Sequence, residues 1–321
     1  MHKEKISLII EKCLKEYPCE IDIRYDEPMK NHTTFKTGGN ADFLLQPKGE
    51  NFAQFCASLL KNLSHEKIPV FFLGGGANIL VSDRGIRGVV LDTKAWSAKN
   101  NSIQEKEESI LVFKSGTAMD EAARIAACEG LSGIEFLAGM PGTIGGAVFM
   151  NARCYGREIS DALIWTEIID LNDFIIKKIL LKQNDFGYKY SPFQKTGSLI
   201  LKACFKLEKG DRNEINKKMN EYVQDRTKKG HYLFPCAGSA FKNSRDFGKP
   251  AGQIIDELGL KGFKKGGAQI APFHGNIVIN TGDAVASDIR LLMDEIAVKV
   301  KNKTGFQLES EIIFAGDWEN Y

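Results

Sequence analysis

Two stretches in which glycine displaces nearly every bulky side chain constrain this chain more than any other feature. The first, Leu73-Gly74-Gly75-Gly76-Ala77-Asn78-Ile79-Leu80, follows the apolar run 69–72. The second, Gly139-Met140-Pro141-Gly142-Thr143-Ile144-Gly145-Gly146-Ala147, runs on to Asn151. Glycines placed after a strand let a backbone approach a ligand closely and aim N–H groups at a diphosphate. The first cluster fails the G-x-G-x-x-G test, because Ile79 stands where the third glycine belongs. No G-x-x-x-x-G-K-[ST] phosphate loop occurs either. An ordinary dinucleotide fold and a P-loop NTPase are therefore both excluded. Alone, the first cluster is as compatible with a tight turn as with a phosphate cradle, and the second is compatible with a close crossing of two backbones. Two cradles in one domain suit a long ligand with a pyrophosphate at its middle, such as a dinucleotide.

At 321 residues, the chain is long enough to bury about three quarters of its unfolded surface without staples. Its net charge of +2, from 43 basic and 41 acidic residues, predicts no nucleic-acid or membrane partner, so any anion must be held by local groups. Seven cysteines (13, 19, 56, 128, 154, 204 and 236) are scattered without a C-x-x-C pair. That usage predicts a reducing, cytoplasmic setting and neither a zinc site nor any other metal. The first residues, MHKEKISLIIEKCLKEY, carry apolar positions at helical spacing interrupted by Lys and Glu, so they predict a helix and not a signal peptide.

Strands are predicted over 41–46, 70–73, 88–91, 110–114, 163–171, 174–181 and 199–207, with the fifth and sixth, on either side of Asn172-Asp173, forming a hairpin. Helices are predicted over 50–62 and 118–129; Phe52, Phe55, Cys56, Leu59 and Leu60 share one face of the former. The composition turns polar near Lys209. Beyond it we expect helices over 211–229, 251–258 and 283–303, an alternating strand around 269–280 and a last strand over 307–314. The expected organisation is an N-terminal helix (1–19), one domain over 20–208 and a smaller one over 209–321. The irregular order of strands and helices indicates an α+β class.

Three N-terminal stretches, NHTTFKTGGNADFLL (31–45), FFLGGGANILVSDRGIRGVVL (71–91) and GIEFLAGMPGTIGGAVFMNARCYG (133–156), resemble the FAD-binding domain of the UDP-N-acetylenolpyruvoylglucosamine reductase family. That domain is of the p-cresol methylhydroxylase type, with two α+β subdomains. CAGSAFKNS (236–244), AGQIIDELGLKG (251–262), GGAQIAPFHGNIVIN (266–280) and LESEIIF (308–314) resemble the same family's smaller α+β substrate-binding domain. The glycine loops alone would indicate only the wider flavin fold; the C-terminal motifs are specific to the reductase. The short link from 208 to 236 resembles the form lacking a tyrosine-bearing insertion.

The resemblance implies noncovalent FAD, NADPH as reductant, and reduction of the enolpyruvyl ether of UDP-N-acetylglucosamine to UDP-N-acetylmuramate, a peptidoglycan precursor, by a cytoplasmic monomer. It implies FAD contacts from Thr37, Gly38 and Gly39, from Leu73, Gly74, Gly75, Gly76, Ala77 and Asn78, and from Gly139, Met140, Pro141, Gly142, Thr143, Gly145, Gly146 and Ala147. Ser239 matches the proton donor and Asn243 a substrate contact. Glu309 and Glu311 share a face by period 2, so periodicity leaves the catalytic carboxylate open between them; the motif match selects Glu311. Tyr188 is a further expected substrate contact. The candidate cations for the diphosphate are Arg226, Lys228, Lys229, Lys242, Lys261, Lys264 and Lys265, of which Arg226 and Lys242 sit nearest the matched motifs and are favoured. His274 reads as a structural histidine. His32 would be a covalent flavin anchor in the wider fold, but not in this family.

Lys189 stands where the family usually has the arginine that polarises the substrate carboxylate. It keeps the charge and loses the two-pronged grip. Ala240 and Ile312-Ile313 replace an aromatic residue and a valine-arginine pair. These departures motivate two alternatives: another flavin oxidoreductase of the same superfamily, or a noncatalytic relative that binds a UDP-sugar or flavin.

Overall fold

The computed structural model describes residues 2–97 and 109–319. The chain divides into two compact units. One comprises Met1–Tyr25, Asp42–Gly75 and Gly88–Val223, the other Asp26–Ala41, Gly76–Arg87 and Gln224–Tyr321. A single cut at 209 does not describe this division, because two short N-terminal segments belong with the C-terminal residues.

The first unit contains two α+β halves, as expected. In one, Val70–Leu73 pairs in parallel with Ile86–Asp92, within a four-stranded sheet that continues through Asn40–Lys48 to Glu20–Pro28. The strand Glu20–Pro28 is an addition to the predicted set: Ile21 and Ile23 alternate with charged residues over a short stretch and turn inward against the core of this half. Helices His2–Glu16 and Phe52–His65 cover this half. Ile6, Ile10 and Cys13 of the one and Phe52, Phe55, Cys56, Leu59 and Leu63 of the other share a core with Phe43, Leu45, Val89 and Leu91. The helical stripe predicted over 50–62 is thus the face that packs.

The other half is an antiparallel sheet ordered Ile176–Leu180, Leu163–Ile169, Leu199–Lys206, Ile110–Lys114. The hairpin forms as expected, with Trp165 opposite Leu180 and Ile169 opposite Ile176. Helices Met119–Cys128 and Ile144–Phe149 bury Ala122, Ala126, Ile144 and Val148 against Phe113, Ala203 and Phe205 of this sheet. The second glycine stretch, expected as a loop throughout, becomes helical at Ile144, capped by Thr143 in an extended conformation. Alanine and glycine at its first turns let this short helix sit close to the sheet.

The second unit is built on a sheet ordered Cys236–Ser239, Ile277–Asn280, Ala268–Ile270, Lys264–Lys265, against which helices Ala251–Glu257 and Ala286–Thr304 pack. The strand expected around 269–280 is two antiparallel strands, with Ala268 opposite Asn280. Its alternating pattern continued through Pro272-Phe273-His274-Gly275, where the chain reverses. The last strand is shorter than expected, Ile313–Ala315, and pairs in parallel with Ile79–Val81. Asp83 anchors the same N-terminal segment: its carboxylate accepts the N–H groups of Ala286 (2.7 Å) and Ser287 (2.9 Å). These are the first residues of the 19-residue helix Ala286–Thr304. A carboxylate at that end satisfies two otherwise unpaired donors and opposes the helix dipole.

No helix among the described residues is long and apolar enough to cross a membrane. They also contain no cluster of His, Cys, Asp or Glu that could hold a metal ion.

Asp83→Ala should cost about 1–2 kcal/mol of stability in chemical denaturation, the usual loss when a capping side chain is removed. A second test uses His231, whose burial, together with Arg226, His274 and Lys229, lowers its pKa from 6.5 to about 4, against a smaller opposing effect of Asp225. Between those values the unfolded chain takes up a proton that the folded chain refuses. Stability from this residue is therefore complete above pH about 6.5 and is lost as the pH falls toward 4. His231→Gln should reduce the slope of stability against pH in that window, measured by urea titration.

Candidate active site

In the first unit the two glycine clusters cross each other. A Cβ on Gly75 would lie 2.4 Å from Gly142 Cα, and one on Gly74 would lie 2.5 Å from Thr143 Oγ1. A Cβ on Gly145 would meet Ser115 Cβ at 2.8 Å. The close-crossing reading of the glycines is therefore realised by the clusters on one another, and the crossing leaves both loops as nearly bare backbone. Among the described residues, none accepts a hydrogen bond from the N–H of Gly74 or Gly75. Beside Gly145 the hydroxyl of Ser115 is buried without a partner among the described residues. Half-buried N–H groups and a buried hydroxyl left in this state suit a ligand with many acceptor oxygens, which a dinucleotide pyrophosphate provides. Sequence reasoning missed Ser115; one serine before a glycine carries no signal until the fold brings it to the loop. Asp120 also went unremarked. Its carboxylate accepts the Gly139 N–H at 2.8 Å and fixes where the second loop begins.

In the second unit Gly76 has φ +65°, and a Cβ there would fall 1.9 Å from the His32 carbonyl oxygen. Gly38, with φ +124°, lies against Val81, and Gly39 against Asp83 and Gly85. The N–H groups of Gly76, Ala77 and Asn78 also have no acceptor among the described residues. The side chain of Asn78 is engaged within the protein, Nδ2 donating to the Glu311 carbonyl at 3.0 Å. Its backbone N–H, not its amide, is therefore what it can offer a cofactor. Thr37 is buried, its carbonyl accepting the Thr33 hydroxyl. His32 is buried and bonded through Nε2 to Glu27 at 2.7 Å, which leaves it poorly placed as a flavin anchor.

Ser239 and Glu311 lie in adjacent segments of this unit. Ser239 ends its strand opposite Ile277. The chain beyond it runs antiparallel to residues 309–311. Phe241 bridges Ser310, the Glu311 N–H donates to the Ala240 carbonyl at 2.9 Å, and the Lys242 N–H donates to the Glu309 carbonyl at 2.9 Å. Asn276 fixes the first segment. Its carbonyl accepts the Ala240 N–H at 2.8 Å, and its side chain accepts the Phe241 N–H at 2.9 Å and donates to the Phe241 carbonyl at 2.8 Å. His274 Nδ1 accepts the Asn276 N–H, and burial pushes the imidazole pKa down, so it is the structural histidine expected. Burial distinguishes the two carboxylates that periodicity did not: Glu311 is 9% exposed, whereas the Glu309 side chain is 71% exposed and faces Lys242 at 3.5 Å. Both precede the final strand, so the period-2 argument did not apply to them. Asn243 Oδ1 accepts the Ala251 N–H at 2.8 Å, at the start of helix Ala251–Glu257, and Arg226 is buried in the last turn of its helix.

Lys189 and Tyr188 belong to the first unit, on a turn closed by Gly187 and Tyr190. Lys189 adopts φ +55°, a left-handed conformation uncommon for residues other than glycine. Gln194 Nε2 donates to the carbonyls of Lys189 (3.0 Å) and Phe149 (2.9 Å), and the Ser191 hydroxyl donates to Phe149 at 2.7 Å. The turn is thereby lashed to the end of the helix whose start is the second glycine loop.

Glycine loops that bare their N–H groups, on paired α+β halves, define a flavin-binding oxidoreductase. Consistently, a family model described as an FAD binding domain matches residues 53–176. A second, for the C-terminal domain of UDP-N-acetylenolpyruvoylglucosamine reductase, matches residues 228–315. The reductase of that name from Treponema denticola is 44% identical over 92% of this chain and 94% of its own length. That from Borreliella burgdorferi is 41% identical over 95% and 99% respectively. The crystal structure of the reductase from Thermus caldophilus, at 30% identity, superposes with a TM-score of 0.73 over 92% of this chain and 99% of that one. The chain belongs to the UDP-N-acetylenolpyruvoylglucosamine reductase family.

Two glycine substitutions separate fold from cofactor. Gly75→Ala should misfold or lose flavin, since its Cβ meets backbone. Gly146→Ala meets only Thr143 Oγ1, at an ordinary 3.6 Å. It should unfold at the wild-type temperature and bind less FAD, read as visible absorbance per chain; full flavin content would show that the helix start does not contact the cofactor.

Proposed function

We propose that this enzyme uses NADPH and noncovalently bound FAD to reduce UDP-N-acetylenolpyruvoylglucosamine to UDP-N-acetylmuramate, with Ser239, Glu311 and Lys189 at the reacting group. The observation that carries the residue roles is the hydrogen bond between the Glu311 N–H and the Ala240 carbonyl. It puts a small hydroxyl residue and a buried carboxylate in one fixed register. FAD when bound supplies hydride transfer, from NADPH to the vinyl CH₂ carbon of the ether.

The chain's own residues must manage the charge and the proton. As hydride arrives, negative charge develops on the carbon bearing the carboxylate and on the carboxylate itself. Ser239 Oγ donates a proton to that carbon. Glu311, held through its N–H by Ala240 and through its carbonyl by Asn78, stabilises the enol form of the carboxyl group. Lys189 supplies positive charge to the carboxylate. Tyr188 and Asn243 contact the sugar-nucleotide, and Arg226 and Lys242 face its diphosphate. Residues 20–208 are the FAD-binding domain and residues 209–321 bind substrate. Seven free cysteines accord with a cytoplasmic location.

The test is an anaerobic titration that follows the flavin's visible absorbance. NADPH should bleach it, and the UDP-enolpyruvyl sugar should then restore it. Bleaching without recovery would reassign the enzyme to a different acceptor. Ser239→Ala should bleach at the wild-type rate and recover at least about a hundredfold more slowly, as expected when a positioned proton donor is lost. Equal slowing of both half-reactions would remove Ser239 from the chemistry.

A further inference from the structure

We infer that Arg153 supplies the guanidinium that the Tyr188-Lys189 position lacks, and that it grips the substrate carboxylate in this enzyme. The inference rests on the proposed reaction. A carboxylate on which charge is building is held best by two parallel N–H donors, which a guanidinium has and an ammonium has not. Lys189 supplies a point charge only, and its backbone is committed to φ +55°, its carbonyl bound by Gln194.

Arg153 lies next to that position. Its guanidinium carbon is 5.9 Å from the centre of the Tyr188 ring. The juxtaposition is built in by Asn151, which is wholly buried at φ +44°. Asn151 Nδ2 donates to the Gly187 carbonyl at 3.0 Å, immediately before Tyr188, and its Oδ1 accepts the Ser160 N–H at 3.2 Å. One side chain therefore ties the Tyr188 turn to the two-stranded hairpin formed by Arg153–Cys154 and Arg157–Glu158. The guanidinium is close to half exposed and meets Glu158 only at 4.0 Å, so a stronger anion can draw it away. Lys195, 5.7 Å from the Tyr190 ring centre, adds a further cation to the same turn. Three cations thus surround a pair of tyrosines at the place where the reaction needs a carboxylate held.

The experiment uses FAD-loaded enzyme and measures the two half-reactions separately. Arg153→Ala should leave bleaching by NADPH unchanged and raise the concentration of UDP-enolpyruvyl sugar needed for half-maximal recovery by about tenfold or more. Arg153→Lys should fall between Arg153→Ala and the wild type. Adding Lys189→Arg to Arg153→Ala should restore most of the loss, because the guanidinium is returned from the neighbouring position. UDP-N-acetylglucosamine, which lacks the carboxylate, should inhibit Arg153→Ala and wild type equally. Wild-type recovery in Arg153→Ala, equal slowing of both half-reactions, or a loss that Lys189→Arg does not relieve would each overturn the inference. Weakened inhibition by UDP-N-acetylglucosamine would overturn it too, assigning Arg153 to the nucleotide instead. If the wild type bleaches but never recovers, the proposed reaction itself fails, and this inference falls with it.

Discussion

The contact on which the cofactor half of this protein depends is the crossing of Gly75 over Gly142. Neither backbone can carry a side chain there, because a Cβ on one would sit 2.4 Å from the Cα of the other. That exclusion brings two turns, about seventy residues apart in sequence, into direct contact, and the N–H groups of Gly74 and Gly75 in the first of them have no acceptor among the described residues. Unpaired buried donors cost free energy in an empty protein. A pyrophosphate that accepts such donors offsets the cost, which is the physical basis for the proposal that these loops hold FAD.

The second unit depends on a different device. Residues 76–87 are drawn into it by the parallel pairing of Ile79–Val81 with Ile313–Ala315 and by the Asp83 carboxylate at the start of helix Ala286–Thr304. Asn78 then holds the Glu311 carbonyl, so a residue of the first glycine cluster orients the carboxylate assigned to the chemistry. Asn276 performs the same service for Ala240 and Phe241. Two asparagine side chains thereby fix the backbone of the segments that carry Ser239 and Glu311.

Much of the fold was legible where periodicity had one interpretation. The helix Phe52–His65 and the hairpin Leu163–Ile169 with Ile176–Leu180 follow their patterns closely, because each buries a single face. Legibility failed where the pattern outlasted the element. Alternation through residues 269–280 concealed a reversal at Pro272–Asn276. The strand Glu20–Pro28 carries only two apolar residues, Ile21 and Ile23, on its inward face, a shorter alternation than the predicted strands show. Arg153 was invisible for another reason: it stands within a glycine-rich motif, and nothing in its local sequence relates it to Tyr188. Ser115 is the same kind of case, a residue given meaning only by what the fold sets beside it.

By itself, the sequence determined the chemistry available: bare glycine backbone for a pyrophosphate, a serine among small residues, a lysine in place of a guanidinium, and an α+β order that no regular βαβ series explains. These are properties of residue type and near-neighbour spacing, which survive in one dimension. Only the tertiary structure decided which of Glu309 and Glu311 is buried, that residues 26–41 and 76–87 join the C-terminal unit, and that Arg153 stands beside Tyr188. Each of these depends on pairing between residues tens to hundreds of positions apart. Such pairing is selected by the packing and hydrogen bonding of the whole unit, to which no local window of sequence has access.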